Sequence, residues 1–216
     1  MTTDTHLIII RHGQTQANVD HKWHGSTDTA LNQTGEQQAQ KAAERIAREH
    51  TDIAAIYASP LQRTLHTALR IGELLDIEVI TDPRLQEYGI GSLEGTSFDD
   101  LRNQHNFFDL VAADPHYAPD RGESIHGVGT RVRSAFEEFA ANHRGEKVVA
   151  VSHGAAMALA LAGIFHDDWY QWHRFHFQNT AVTELQLGSS PRLLRFNCVH
   201  HLAATGLDNL PTVENG

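Results

Sequence analysis

The chain has 216 residues and a mass of 24.0 kDa, with 40% hydrophobic and 20% charged residues. These proportions are typical of a globular domain, and we expect no targeting segment or membrane span because no apolar run is long enough. The formal net charge of -10 argues against non-specific binding to nucleic acid or to an anionic membrane. The single cysteine, Cys198, excludes an internal disulfide and favours a cytoplasmic location.

The first predicted strand runs directly into polar residues. Residues 7–10 are all apolar, and Arg11, His12 and Gly13 follow them. A short apolar run that ends near glycine predicts a buried strand whose carboxyl end opens into a loop. Open α/β sheets bind their ligands at that end of their strands. A cation and an imidazole in this place suit an anionic group.

Strands and helices alternate along the rest of the chain. We predict helices at about residues 33–50, 59–75, 124–143 and 154–163, and strands at 54–58, 78–80, 147–151, 181–187 and 192–198. Asn32 or Thr34 can cap the first helix, and residues 82–124 are expected to be irregular. The alternation predicts an α/β fold, a three-layer α/β/α sandwich around a mostly parallel sheet. We expect one domain over residues 1–201 and a poorly ordered C-terminal tail over residues 202–216.

Two more predicted strands end in residues that can bind an anion. Arg63 follows the second strand, in the first turn of a helix, and His153 follows the strand at 147–151. The carboxyl ends of parallel strands share one edge of a sheet, so we expect both residues to meet Arg11 and His12. Alone, Arg63 would be better explained as a surface helix residue and His153 as a core histidine. Two guanidiniums with two imidazoles, however, match a phosphate dianion, because arginine donates bidentately to phosphate oxygens.

Short motifs in the chain resemble, in order, those of the histidine phosphatase superfamily, which is typified by cofactor-dependent phosphoglycerate mutase. They are Arg11-His12-Gly13-Gln14-Thr15 with Asn18, Asp28-Thr29-Ala30-Leu31, Ser59-Pro60-Leu61-Gln62-Arg63-Thr64, Leu85-Gln86-Glu87, Gly122-Glu123-Ser124 and Ser152-His153-Gly154. Gln14 stands where glutamate is commoner, and Leu93 stands where tryptophan is usual. The resemblance covers nearly the whole chain and implies a phosphoglycerate mutase-like fold.

The resemblance also implies roles for the strand-end residues. His12 would be the nucleophile that forms a phosphohistidine, while Arg11, Arg63 and His153 hold the transferring oxygens. Glu87 matches the position of the general acid, which protonates the leaving alkoxide and then acts as a base toward water or another acceptor. This scheme requires no metal and no cofactor, since the arginines supply the positive charge.

Further residues are expected to contact the substrate, and one histidine-rich segment is not. The expected substrate-binding residues are Asn18, Gly25, Ser26 and Gly154. The segment from 166 to 176 contains His166, Asp167, Asp168, His173 and His176, in a spacing that matches no zinc or di-metal pattern. We interpret it as a loop or helix start without a metal.

The choice between a phosphatase and a mutase depends on the charges around the leaving group. The family's mutases carry a lysine and an adjacent arginine pair in an inserted segment. Between Glu87 and Gly122, this chain has only Arg102 and Arg121 as cations, with several aromatic residues. These aromatic residues suit a less charged leaving group, so we predict a phosphomonoesterase that acts on a small phosphorylated metabolite.

Two alternatives remain beside this prediction. One is a phosphoglycerate mutase, and the other is a non-catalytic phosphate-binding module on the same fold. The second is disfavoured because His12 and Glu87 are both present, whereas a binding module would be free to lose them. The sequence does not identify the substrate, and it leaves a homodimer open.

Overall fold

A six-stranded sheet forms the centre of the molecule. The computed structural model describes residues 4–203 and 205–207. The strands are β1 (Thr5–Arg11), β2 (Ile53–Ala58), β3 (Val79–Thr81), β4 (Lys147–Ser152), β5 (Val182–Leu187) and β6 (Arg192–Cys198), in the spatial order β3-β2-β4-β1-β5-β6. The first four strands in this order are parallel, whereas β5 and β6 pair antiparallel with their neighbours. The prediction of a mostly parallel sheet is confirmed.

Helices cover both faces of the sheet. They are α1 (Gln16–Val19), α2 (Gln33–Glu49), α3 (Gln62–Leu75), α4 (Phe98–Asn103), α5 (Phe107–Ala113), α6 (Ile125–Asn142) and α7 (Gly154–His166). In β1, Ile8 and Ile10 pack with apolar residues of α2 and α3, while Leu7 and Ile9 pack with those of α6 and α7. Successive side chains of a strand point to opposite faces, so one strand contributes to both layers of the core. This is the predicted three-layer α/β/α arrangement.

Local side-chain bonds set where the long helices begin. The Oδ1 atom of Asn32 accepts from the amide of Gly35 at 2.8 Å at the start of α2. The prediction places the start of α3 at Ser59-Pro60, but the helix begins at Gln62 because Leu61 is extended, with φ -66° and ψ 137°. Arg63 is therefore the second residue of α3.

The expectation of an irregular segment over residues 82–124 is wrong in part, because α4 and α5 lie within it. The hydroxyl of Ser97 accepts from the amide of Asp100 at 3.0 Å and caps α4. Leu101, Phe107 and Val111 are buried in the core. Helices this short are marginal in isolation, so the burial of these side chains stabilises them.

The described part of the predicted tail contacts the domain. Leu202 is buried, and the Nε2 atom of Gln38 in α2 donates to the carbonyl of Leu207 at 3.1 Å. Residues 204 and 208–216 lie outside the described residues, so poor order there stays a prediction, as does the domain boundary. Among the described residues, no helix has both the length and the apolar character that crossing a bilayer requires.

Candidate active site

The ends of two neighbouring strands bring His12 and His153 together. Arg11 at the end of β1 is in register with Ser152 at the end of β4. The amide of His12 donates to the carbonyl of Ser152 at 3.1 Å, and the two imidazole centroids are 5.2 Å apart in an edge-to-face arrangement. Residues far apart in the chain thus meet because their strands are adjacent and parallel.

The hydrogen bond of His12 determines which ring nitrogen is free. Its Nδ1 atom lies 2.7 Å from the carbonyl oxygen of Gly13. A carbonyl only accepts, so Nδ1 carries the proton and Nε2 keeps a lone pair in the neutral ring. The side chain is 3% exposed, and burial, followed by the guanidiniums of Arg63 and Arg11, lowers its pKa well below the ordinary value. At neutral pH, His12 is a neutral imidazole with Nε2 available as a nucleophile.

Arg63 is anchored on three sides by nearby groups. Its Nη2 and Nη1 atoms donate to the carbonyls of Gly25 at 2.7 Å and Thr27 at 2.9 Å. Its Nε atom donates to Nδ1 of His153 at 3.2 Å. Because that nitrogen accepts, Nε2 of the neutral His153 ring donates to the Ser59 hydroxyl at 2.9 Å. Both ring nitrogens of His153 are therefore engaged.

His153 is fully buried behind the cavity rather than in its lining. Burial, followed by the Arg63 guanidinium, lowers its pKa well below the ordinary value, so the ring is neutral. Nδ1 of this tautomer accepts and Nε2 already donates to Ser59, so His153 offers no free N–H to a phosphate oxygen. In the structure as it stands, His153 positions Arg63 and contacts the His12 ring.

Arg11 lines the cavity and keeps one buried donor without a partner among the described residues. Its Nη1 atom donates to the carbonyl of Phe177 at 2.6 Å, which fixes the guanidinium. Its Nε atom is buried and has no hydrogen-bond partner within residues 4–203 and 205–207. Burial is the main reason that its pKa falls to about 10, so the group is still charged at neutral pH. A buried cationic N–H without a partner is well suited to an oxyanion.

Glu87 lies against the first turn of α7. Its Oε1 atom accepts from the amides of Ala156 at 2.9 Å and Tyr88 at 2.8 Å, and its Oε2 atom lies 3.3 Å from the amide of Ala155. These backbone donors fix the carboxyl group in orientation. Glu87 also lines the same cavity as Arg11 and His12. The carboxyl group is therefore presented toward the space that a ligand of His12 would occupy.

Arg131 of α6 holds the backbone that carries Glu87. It donates to the carbonyls of Arg84 at 2.8 Å, Gln86 at 2.6 Å and Glu87 at 2.9 Å. The same guanidinium forms two 2.8 Å bonds with the carboxylate of Glu123. The sequence analysis missed this residue, since nothing in its helical context signals a bond to a loop more than 40 residues earlier.

Asn18 is oriented by Asn179, a second residue that the sequence analysis missed. The Oδ1 atom of Asn18 accepts from the amide of Thr15 at 3.0 Å and from Nδ2 of Asn179 at 3.2 Å. Because Oδ1 is occupied, Nδ2 of Asn18 is the atom left to bond a ligand. Asn179 also donates to the carbonyl of His12 at 3.0 Å, and it is 4% exposed. Both asparagines line the cavity.

Of the other three predicted substrate-binding residues, two line the cavity and one does not. Gly25 and Gly154 line the cavity, but Ser26 does not. The amide and hydroxyl of Ser26 donate to Oε1 of Glu94 at 2.9 and 2.7 Å. Gly25 has φ +46°, and a Cβ there would lie 2.5 Å from that same oxygen, so this position requires glycine. Glu94 therefore holds the loop whose carbonyls hold Arg63, and Ser26 belongs to that support.

One cavity of about 710 Å³ includes this site and extends outward from it. The exposed and half-buried part of its lining, here called the outer end, includes Lys22, Phe98, Asp99, Arg102, Phe108 and Trp172. The expectation of few cations near the leaving group considered only the chain between Glu87 and Gly122. Lys22 comes from the loop after α1, so a cation from outside that stretch also lines the cavity.

The histidine-rich segment contributes to the wall of this cavity. His173 and His176 line it, whereas Asp167 is 94% exposed and lies 3.4 Å from Arg133. In the described part of the chain, no three His, Cys, Asp or Glu side chains are grouped so that they could hold a metal ion. The predicted absence of a metal role for this segment stays a prediction.

Comparisons with known proteins agree with this geometry. Residues 7–199 match the sequence profile of the histidine phosphatase superfamily, branch 1. Phosphoserine phosphatase 1 of Hydrogenobacter thermophilus is 30% identical over 199 residues, which cover 91% of this chain and 93% of that protein. A probable phosphoglycerate mutase GpmB of Enterobacter sp. (strain 638) is 33% identical over 213 residues, 94% of this chain and 98% of that protein. The crystal structure of a phosphoserine phosphatase mutant from Entamoeba histolytica in complex with phosphoserine superposes with a TM-score of 0.83, at 30% identity, over 92% of this chain and 99% of that chain.

Proposed function

The chain belongs to the histidine phosphatase superfamily, branch 1, and we propose that it hydrolyses phosphate monoesters of small metabolites through a phosphohistidine. The observation that carries this proposal is the state of His12. It is a buried neutral imidazole whose Nδ1 proton is committed to Gly13 and whose pKa is lowered by burial and by the Arg63 and Arg11 guanidiniums. A neutral nucleophile flanked by fixed cations suits attack on an anionic phosphoryl group.

In the first step, Nε2 of His12 attacks phosphorus and the bond from phosphorus to the ester oxygen breaks. Arg11 and Arg63 bind the equatorial oxygens, on which the charge of the transition state is spread. Nδ2 of Asn18 donates to the same group. Glu87 gives its proton to the departing alkoxide, and the products are a free alcohol and a phosphohistidine.

In the second step, water attacks phosphorus and the bond from phosphorus to Nε2 breaks. The Glu87 carboxylate takes the proton of the attacking water, which restores the acid for the next cycle. Inorganic phosphate leaves, and His12 returns to its neutral form. His153 supports both steps by holding Arg63 in place.

We further propose that the reaction needs no metal ion and takes place in the cytoplasm. The guanidiniums of Arg11 and Arg63 supply the positive charge that a metal would otherwise provide. A single cysteine, Cys198, is typical of proteins from a reducing compartment.

A mutase is the second candidate, and one observation favours it. A mutase must hold a substrate with a second anionic group, and Lys22 and Arg102 lie at the outer end of the cavity. The relatives include a probable phosphoglycerate mutase as well as a phosphoserine phosphatase. Transfer to a second hydroxyl would use the same phosphohistidine with an alcohol in place of water.

The two candidates are separated by products. The enzyme is incubated with a panel of phosphorylated metabolites, including phosphoserine and 3-phosphoglycerate, the latter with and without its bisphosphate activator. We expect release of inorganic phosphate from at least one of them, at a rate unchanged by exhaustive chelation. Formation of 2-phosphoglycerate without phosphate release would establish the mutase instead. Activity that disappears with chelator and returns with a divalent metal would contradict the metal-free mechanism.

A further inference from the structure

We infer that Thr180 and His201 are positioning residues, which hold the backbone of His12 from outside the cavity. Neither of the two residues lines the cavity. His201 lies in a single helical turn, His200–Leu202, that follows β6. The inference rests on the proposed function, because it assigns to these residues the placement of the nucleophile. Their bond is one link in a chain of contacts that runs from α2 to His12.

The backbone amide of Thr180 contacts the peptide carbonyls at the nucleophile. It donates to the carbonyl of Arg11 at 3.0 Å, and it lies 3.3 Å from the carbonyl oxygen of His12. The His12 carbonyl also accepts from Nδ2 of Asn179 at 3.0 Å. The position of the His12 backbone therefore depends on the conformation of residues 179 and 180.

The backbone of Thr180 is strained. Its φ is +55°, in the left-handed region, where a β-branched side chain is an outlier. Seven non-glycine residues in the described ranges have a positive φ, and Thr180 is the only β-branched residue among them. Such strain persists only where surrounding contacts hold the residue in place, and it is common at active sites. Thr180 is completely buried, so other parts of the protein supply these contacts.

His201 holds the side chain of Thr180. Nη1 of Arg45 in α2 lies 3.4 Å from Nδ1 of His201, and this nitrogen accepts because a guanidinium only donates. The proton of the neutral ring is then on Nε2, which donates to Oγ1 of Thr180 at 3.1 Å. Burial, followed by the Arg45 guanidinium, lowers the pKa of His201 to about 4, so the ring is neutral at pH 7. Both nitrogens of His201 are thus engaged.

Arg45 connects this pair of residues to α2. Its side chain is 1% exposed, and its Nε atom donates to the carboxylate of Glu49 at 3.1 Å. Its Nη1 atom also donates to the carbonyl of Cys198 at the end of β6, at 2.9 Å. These bonds fix the guanidinium, and the guanidinium in turn orients the ring of His201.

Two further contacts of the C-terminal region reach the same part of the molecule. Oδ1 of Asn197, near the end of β6, accepts from the amide of Gln178 at 2.8 Å. Gln38 of α2 donates to the carbonyl of Leu207 at 3.1 Å and accepts from the amide of Gln14, two residues after the nucleophile, at 2.9 Å. The end of β6 and the segment after it therefore support the nucleophile from outside the cavity lining.

The test measures the formation of phosphohistidine in single turnovers with nitrophenyl phosphate. Thr180→Val removes the hydroxyl but keeps the shape of the side chain, and His201→Phe removes both ring nitrogens. Each variant should lower the maximal rate about tenfold, because a small displacement of the nucleophile raises the barrier. The substrate concentration at half-maximal rate should stay within about twofold of the wild-type value, because Arg63 keeps its own contacts.

Conservative variants separate the hydrogen bond from packing. Thr180→Ser keeps the hydroxyl, and His201→Gln keeps a donor and an acceptor, so both should retain most of the wild-type rate. The variant that combines Thr180→Val with His201→Phe should lose about as much as a single variant, because both changes remove the same bond. Equal losses in the conservative variants, or a combined loss equal to the product of the single losses, would overturn the inference while the proposed function stands.

Matched controls make the same changes at exposed positions. His200→Phe alters the neighbour of His201, and Thr130→Val alters a threonine of α6, so both should keep the wild-type rate. Urea unfolding of every variant shows whether a lower rate only reflects a smaller folded fraction. If Thr180→Val does not fold, the comparison of His201→Phe with His201→Gln decides. A wild-type rate in folded His201→Phe overturns the inference.

A spectroscopic measurement decides the case in which nitrophenyl phosphate does not phosphorylate the enzyme, which contradicts the proposed function instead. The Nδ1 proton of His12, bonded to Gly13, is identified in the NMR spectrum by its loss in His12→Ala. Its resonance should shift in Thr180→Val and His201→Phe, and it should stay in place in Thr180→Ser and His200→Phe. A resonance that does not move in the first two variants overturns the inference.

Discussion

The two ends of the cavity differ in how their charged side chains are held. At the inner end, Arg63 bonds two carbonyls and Glu87 bonds backbone amides. At the outer end, Lys22 and Arg102 are exposed and form no ion pair with any residue that the structure describes. A fixed geometry is what phosphoryl transfer requires, because positioning and preorganised charge lower the barrier. Recognition of a ligand tolerates mobile side chains, so the inner end is the part suited to phosphoryl transfer.

The largest expected effect comes from removing His12, the proposed nucleophile at the inner end. His12→Ala should lower turnover by at least about 10⁴-fold, because it removes the Nε2 atom that we propose as the nucleophile. It should also abolish the acid-labile, base-stable phosphate labelling of the protein. His66→Ala, which changes an exposed histidine of α3, is the control and should keep both properties. Labelling that survives in His12→Ala would remove His12 from this role.

Replacing the general acid should have a smaller effect that depends on the ester. Glu87→Gln keeps the shape of the side chain but cannot transfer a proton, so turnover of alkyl phosphates should fall about 10²- to 10⁴-fold. An aryl ester such as nitrophenyl phosphate has a leaving group that needs no proton, so its loss should be much smaller. The measurement is kcat/KM across esters of graded leaving-group basicity. An equal loss for all of them would argue against Glu87 as the acid.

The bonds that hold the backbone around Glu87 can be removed without changing a residue that lines the cavity. Arg131→Met removes the bonds to three carbonyls in the Glu87 loop, and turnover of alkyl phosphates should fall about ten- to hundredfold. Because the loss acts through Glu87, it should shrink for activated esters, as in Glu87→Gln. Arg133→Met in the same helix is the control, since its ion pair with Glu137 lies outside the cavity. A uniform loss in Arg131→Met would indicate a general loss of stability instead.

The smallest expected effect is on stability, and the buried His12 and His153 of the inner end contribute to it. Burial lowers the pKa of His12 and of His153, so the unfolded chain binds more protons than the native one below about pH 6.5. The free energy of unfolding should therefore fall as the pH drops from 6.5 toward 5, by up to about 1.4 kcal/mol per pH unit for each histidine. Urea unfolding at several pH values measures this slope. Replacing the exposed His66 should leave this slope unchanged. A free energy of unfolding that does not change with pH would contradict the buried neutral state of His12 and His153.

The sequence predicted the parts of the site that depend on strand ends. Arg11, His12, Arg63 and His153 each follow an apolar run, and adjacency in the sheet then determines where they meet. Asn179 and Arg131 could not be found in this way. Each donates to carbonyls that are distant in sequence, and any backbone carbonyl can accept such a bond. No residue pattern therefore reveals the partner before the fold is known.

The segment that contains α4 and α5 was predicted least well, for a similar reason. α4 and α5 have six and seven residues, too few for an apolar periodicity to stand out. The cap at Ser97 and the acidic first turn of α4 were readable signals, but α5 begins at Asn106 without a side-chain cap. The position of Lys22 in the cavity depends on its bridge to Ser97, which only the folded chain brings together.

The place of β1 at the middle of the sheet has a consequence for how the protein is made. Its two neighbours, β4 and β5, are translated long after it, and the bond from Asn179 to the His12 carbonyl joins positions 167 residues apart. At 5–20 residues per second, the ribosome needs roughly 8–33 s to synthesise that stretch. His12 emerges before any other residue of the candidate site except Arg11, yet its bond with Asn179 forms only when the stretch just before β5 has been made. Until then the apolar residues of β1 lack the neighbouring strands that cover them, and the candidate site is incomplete.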